Sequence, residues 1–156
     1  MKLLHVFLLV LAATFASAPA YSQSTDEMQI LRDKVKADKK LLVSQNMLLS
    51  DSEAKAFWPI YDAYQADLAK INERLGKAIV AYADAYNAGP VSNDTAKKLM
   101  NEYFAIEDEE LKLQRSYAAK LEKVLPSAKV ARYIQIENKI RSVLKYELAA
   151  KIPLVL

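Results

Sequence analysis

Apolar side chains recur at alternating spacings of four and three through Phe57, Tyr61, Tyr64, Leu68, Ile71, Leu75, Ala78 and Tyr82. That is the seam a helix turns toward a packed neighbour. Ser50, with Glu53 three residues later, opens the stretch as a capping box,. No loop signal follows until Asn87-Ala88-Gly89-Pro90. The pattern therefore predicts one helix of about 50 to 55 Å at 1.5 Å per residue. Pro59 lies inside it and predicts a kink near Trp58, because proline removes an N–H and presses on the preceding turn. Trp58 stands beside the seam, on a face continued by Asp62, Gln65 and Asn72. It is either covered by the preceding helix or exposed at the edge, and burial of an indole, worth about 2 kcal/mol or more, favours cover. Ala69, Gly76 and Ala83 form a small-residue stripe against which a neighbouring helix has room to approach.

Three further helices flank this one. Ile30, Leu31, Val35, Leu41 and Leu42 give a weaker periodicity over about Asp26 to Asn46, on a face loaded with Arg32, Lys34, Lys36, Lys39 and Lys40. That face is either a solvated one with i,i+4 pairs or a docking surface. After the Gly89-Pro90 stop, a third helix runs from Ser92 or Asn93 to about Val124, with Leu99, Tyr103, Ile106, Leu113, Tyr117, Leu121 and Val124 on its apolar face. Leu125-Pro126 separates it from a fourth, about Ser127 to Lys151, with proline at a favourable first helical position and Val130, Tyr133, Ile136, Ile140, Val143, Leu144 and Leu148 turned inward. With two glycines in the whole chain there is little room for tight hairpins,. The fold class is all-α, four helices with two of them long, in an elongated helical-hairpin layer.

The first twenty residues carry a different message. Lys2, the apolar run Leu3 to Ala16 and Ala18-Pro19-Ala20 have the layout of a secretory signal peptide cleaved after Ala20 or Ser22,. The alternative is a retained anchor, but the run falls short of the about 20 apolar residues that span a bilayer. The expected product is a periplasmic single-domain chain, residues 26 to 151, followed by an apolar tail, residues 152 to 156. With no cysteine, lipid modification of the N-terminus and disulfide staples are both excluded,. Cleavage removes Lys2 alone among charged residues, which leaves 21 basic against 19 acidic ones. This near balance, with export, disfavours nucleic acid as a partner.

A shift of 76 places lays Leu49, Glu53, Phe57 and Ile60 over Leu125, Lys129, Tyr133 and Ile136. Each copy opens a helix after a leucine: Leu49-Ser50-Asp51-Ser52-Glu53, and the degenerate Leu125-Pro126-Ser127-Ala128-Lys129. The two-copy layout resembles the LTxxQ-motif proteins of the Spy/CpxP type, with Glu in place of Gln in the first copy. The resemblance implies a periplasmic helical protein forming a cradle-like antiparallel homodimer, which acts as an ATP-independent chaperone or as a stress-response modulator that binds a sensor protein. Some relatives bind metals through histidines. Here the one histidine, His5, lies in the leader, so that branch is set aside and no cofactor or metal is expected.

The residues themselves offer little chemistry. Without a mature His or Cys, a base or nucleophile would have to come from Asp, Glu, Lys, Ser or Tyr, and no glycine-rich phosphate loop is present; no enzyme activity is expected. Glu107 to Glu110 form an acidic run, but consecutive helical positions point in different directions and lack calcium-loop spacing. What remains is a protein-binding surface. Its candidates are Trp58, Tyr61 and Tyr64, with Lys139, Arg141 and Lys145 from a fourth helix rich in basic residues. Its occupant is either unfolded client proteins or one folded sensor or envelope protein, and a purely structural envelope role is the third reading. A thin layer would leave Tyr61, Leu68, Leu75 and Tyr82 partly uncovered within one subunit, which predicts a dimer. Two readings of the tail stand: Leu154 and Leu156 fold back over the helices, or an extended apolar end is offered to a sheet edge that captures terminal carboxylates.

Overall fold

The computed structural model describes residues 37–155, and every regular element among them is an α-helix. The leader, the first helix before residue 37 and Leu156 lie outside the described residues. The chain divides into two units, with the boundary after Leu48. In the first, residues 37–47 form helix α1. Val43 and Met47, one turn apart, are fully buried, whereas Leu41 is more than half exposed. The seam of α1 therefore runs through Val43 and Met47 rather than through Leu41 and Leu42. Leu48 ends the helix in a left-handed conformation, φ 52°,.

The second unit holds α2 (Asp51–Asn87), α3 (Asn93–Leu121) and α4 (Ser127–Lys151). α2 begins where the sequence places it. Glu53 N–H donates to Ser50 Oγ at 3.4 Å, and Ser50 N–H donates to Glu53 Oε2 at 2.8 Å. We expect Ser50→Ala to lower stability by about 1 kcal/mol, since one helix N–H loses its acceptor; an unchanged thermal midpoint would show that the start of α2 does not depend on this cap. The helix continues through Pro59 without a break. α3 stops at Leu121, three residues before the expected Val124. Pro126 disfavours helical backbone at Leu125, and the chain unwinds upstream through a turn in which Leu125 N–H still reaches Leu121 C=O at 2.9 Å. Pro126 itself is the N-cap of α4, with extended backbone, rather than its first helical residue.

Contacts between the helices set their directions. From α2 to α4 the pairs are Glu53 with Lys129, Gln65 with Glu137 and Tyr82 with Pro153, so both partners advance together and the helices are parallel. From α2 to α3 they are Asp67 with Tyr117 and Arg74 with Glu102; from α3 to α4 they are Gln114 with Asn138 and Glu107 with Lys145. In both series one number rises as the other falls, so α3 is antiparallel to its neighbours. The unit thus has a base, where α2 and α4 start, and a tip, where α2 turns through Gly89 into α3.

The core fills the base half: Phe57, Tyr61, Tyr64, Leu68 and Ile71 of α2, Ile106, Tyr117 and Leu121 of α3, Val130, Tyr133 and Ile136 of α4. Tyr61 and Leu68, expected to be partly uncovered, are 3% and 4% exposed within the single chain, so that part of the seam needs no second subunit. Leu75 and Tyr82, toward the tip, are half-buried. The small-residue stripe does not receive a helix within the described residues: Ala69 is exposed, and nothing lies within 4 Å of a Cβ built on Gly76. Gly76→Ala should therefore raise stability by about 0.5 to 1 kcal/mol by restricting the unfolded chain. A loss in a denaturant titration would show instead that something occupies the stripe in solution.

Candidate functional site

The two copies of the repeat meet each other. Lys129 Nζ donates to Glu53 Oε2 at 2.5 Å, and the rings of Phe57 and Tyr133 stand edge to face with centroids 5.2 Å apart. Both pairs join positions 76 apart. Leu125 is buried and Leu49 half-buried. The Glu53 carboxyl is held below its ordinary value, first by the Lys129 ammonium and then by the Ser50 N–H. The residues that carry the family resemblance thus form a clasp at the base of the unit, and their side chains are spent on one another.

Tyr133 is the centre of an aromatic cluster. Its ring lies 5.2 Å from Phe57, 6.0 Å from Tyr61 and 6.1 Å from Tyr64, and Tyr64 in turn lies 5.3 Å from Tyr117. Such edge-to-face pairs gain stability beyond their buried area. This placement corrects the sequence reading of Tyr61 and Tyr64 as surface for a partner: both are 3% exposed or less. Trp58 is half-buried, edge to face with Phe57 and Tyr61. Burial drives the tyrosine pKa values up, that of Tyr64 to about 12 and those of Tyr61 and Tyr133 further, in each case chiefly through loss of solvation and then through the Glu137 carboxylate.

A belt of charge crosses the unit on the tip side of this cluster. Arg74 of α2 grips Glu102 with two hydrogen bonds, Nε to Oε1 at 2.5 Å and Nη2 to Oε2 at 2.9 Å, and reaches Glu109 with Nη1 at 2.6 Å. From α4, Lys145 Nζ donates to Glu107 Oε2 at 2.6 Å and Arg141 pairs with Glu110. Glu137, almost wholly buried, accepts from Gln65 Nε2 at 3.0 Å. The acidic run is therefore divided between neighbours, Glu109 toward α2 and Glu107 and Glu110 toward α4, while Asp108 is exposed. The same contacts correct one more surface candidate, since Arg141 is an interior ion-pair residue; Lys145 pairs across to α3 and remains exposed. Lys139, the third basic candidate, stays on the open surface.

Alongside and beyond the belt the apolar surface opens. Met100, Tyr103 and Phe104 of α3 are 51%, 46% and 55% exposed, and Leu111 extends the same stripe toward the base at 47%. Val80 of α2 and Val143 and Tyr146 of α4 are exposed as well. Tyr103 and Val143 are inward positions by their periodicity, but the tip half is too thinly packed to enclose both. The tail follows suit: Ile152 is half-buried, Tyr82 OH donates to the Pro153 carbonyl at 2.8 Å, and Leu154 is 85% exposed. Leu154 does not fold back over the helices, and its partner in that reading, Leu156, lies outside the described residues. Periodicity along a single stripe of α3 misses Met100, Phe104 and Leu111, whose own spacings of four and seven mark a second stripe.

No family model matches the chain, and no curated protein or solved structure matches it. Among the described residues no group of three or more His, Cys, Asp or Glu is placed to hold a metal ion, and no helix is long and apolar enough to cross a membrane.

Proposed function

We propose that this chain is an envelope protein that binds non-native polypeptides without ATP, through the apolar surface of its tip half. The observation that carries this reading is the cluster of Met100, Tyr103 and Phe104, exposed side by side on α3 and continued by Leu111. Soluble chains seldom leave contiguous large apolar side chains in water unless something binds there. The same helix also exposes the charges of Lys97, Asp108 and Arg115. A mixed surface of this kind adheres to many sequences without locking onto one. The leader-like N-terminal sequence and the resemblance to periplasmic chaperone-like proteins point the same way. A second reading, an adaptor for one folded sensor or envelope protein, draws on the compactness of the same cluster, which has the aromatic content of an interface hot spot.

The test is suppression of aggregation of two unrelated denatured proteins at equal molar ratio. We expect the wild-type chain to suppress both and a Met100→Ser, Phe104→Ser, Leu111→Ser variant, folded by circular dichroism, to suppress neither. A wild-type chain inert toward both clients would leave the adaptor reading. Full activity in the triple variant would move the site off α3.

A further inference from the structure

The charged belt holds α3 to both of its neighbours by carboxylates that α3 itself supplies, and one of its pairs is interior. Arg141 and Glu110 have side chains 18% and 10% exposed, and the Nε of Arg141 has no acceptor among the described residues. We propose that the belt is an acid-released latch: protonation of the α3 carboxylates frees the tip half of α3 from α2 and α4 and uncovers its inner face, while the aromatic base stays closed. The latch concerns the fold alone and is independent of the binding reading above.

The charges that face one another come from all three helices. From α2 the belt receives Arg74, with Tyr64 lying against Arg141; from α3 it receives Glu102, Glu107, Glu109 and Glu110, with Lys98 near Glu102; from α4 it receives Glu137, Arg141 and Lys145. At neutral pH five carboxylates face four cations, Arg74, Lys98, Arg141 and Lys145. Once the carboxylates are protonated, the cations keep their charge with nothing to offset it, and the Arg141 guanidinium, already disfavoured as a charge by burial, loses the partner that compensates it. Breaking a buried pair by neutralising one member is far more disruptive than losing an exposed pair. On the tip side of Arg141, Ile106 is fully buried but Leu99, Leu144 and Leu148 are only half-buried, so there is less packing than at the base to hold the helices once the charges let go. On the base side the rings of Phe57, Tyr61, Tyr64 and Tyr133 are buried against one another, and this packing remains when the carboxylates there, Glu137 beside Tyr133 and Glu53 on Lys129, are protonated.

The sign follows from the belt's own groups. The Arg74 guanidinium holds the Glu102 carboxyl below its ordinary value. A group so depressed contributes stability above its unfolded pKa and loses it as pH falls through the folded one. The Arg74–Glu102 hold is therefore in place at neutral pH and is lost in acid, and the latch opens in that direction.

Hydrogen exchange of the full chain tests this. Glu110→Gln at pH 7 should speed exchange by about tenfold or more over residues 99–110 and 141–148, with residues 57–64 and 130–136 still protected. In acid the wild type should reach the same regional pattern and bind an apolar dye. A Glu110→Leu, Arg141→Leu double variant, which removes both interior charges, should stay protected over 99–110 in acid. Release of the base together with the tip, an unaltered Glu110→Gln pattern, or a double variant that still opens would each overturn the proposal. If Glu110→Gln fails to fold, the wild type and the double variant, compared in acid, decide it.

Discussion

Replacing Tyr133 by alanine should cost about 3 to 5 kcal/mol, the range for deleting a large buried ring. The ring is 1% exposed and touches Phe57, Tyr61 and Tyr64 at once, so its removal opens a void that no single neighbour can fill. Two controls bracket the result. Tyr133→Phe keeps the ring and loses a hydroxyl that accepts from Gln65 Nε2 at 3.3 Å, which should cost about 1 kcal/mol. Tyr103→Ala, on the exposed stripe, should stay within about 0.5 kcal/mol of wild type. Denaturant titrations with unchanged slope would make the three values comparable. A Tyr133→Ala variant as stable as Tyr103→Ala would mean that the helices do not close around this ring.

The helices are legible in the sequence because their signals are local. Ser50 and Glu53 cap α2 as their spacing predicts, Gly89-Pro90 lies in the turn between α2 and α3, and α4 has the expected bounds. What is not legible is how far each seam is covered, since periodicity gives the direction of a side chain and says nothing of its depth. Tyr61 and Tyr103 sit on equally regular seams, yet one is enclosed by its neighbours and the other stands toward the thin tip. Periodicity turns both toward a packed neighbour; packing encloses Tyr61, which the reading of a binding surface also counts as a contact for a partner, and leaves Tyr103 46% exposed.

Charge follows a related rule. Positions 53 and 129 are equivalent in the repeat and carry opposite charges, which the sequence shows plainly, and the structure joins them at 2.5 Å. The departure of the second copy from the motif, Lys129 where the first has Glu53, is what allows the two copies to clasp. Arg141 and Lys145 likewise read as part of a basic surface on the fourth helix, although the acidic run 107–110 lies on the preceding one. Antiparallel neighbours joined by a short turn bring such runs opposite each other, and a charge on one side of the turn is best read together with its reflection on the other.

Above pH 10 this protein should unfold more steeply than a helical chain whose tyrosines lie on its surface. In the unfolded chain a tyrosine ionises near its ordinary value of about 10. In the fold, loss of solvation and the Glu137 carboxylate push Tyr64 up to about 12 and Tyr61 and Tyr133 beyond it. Below pH 10 both states keep the proton and the tyrosines leave stability unaffected by pH. Above it the unfolded state releases protons that the fold retains, so stability falls as pH rises toward the folded values. Each such tyrosine contributes at most about 1.4 kcal/mol per pH unit, less where water reaches the ring. Lysine side chains in general also ionise in this range, so the measurement has to isolate one ring. Denaturant titrations of the wild type and Tyr133→Phe between about pH 8 and 11.5 do so, because phenylalanine has no proton to retain. The two curves should run parallel up to about pH 10 and converge above it, the variant losing stability more slowly. Parallel curves throughout would place the Tyr133 hydroxyl in contact with solvent and contradict the closed base of the unit.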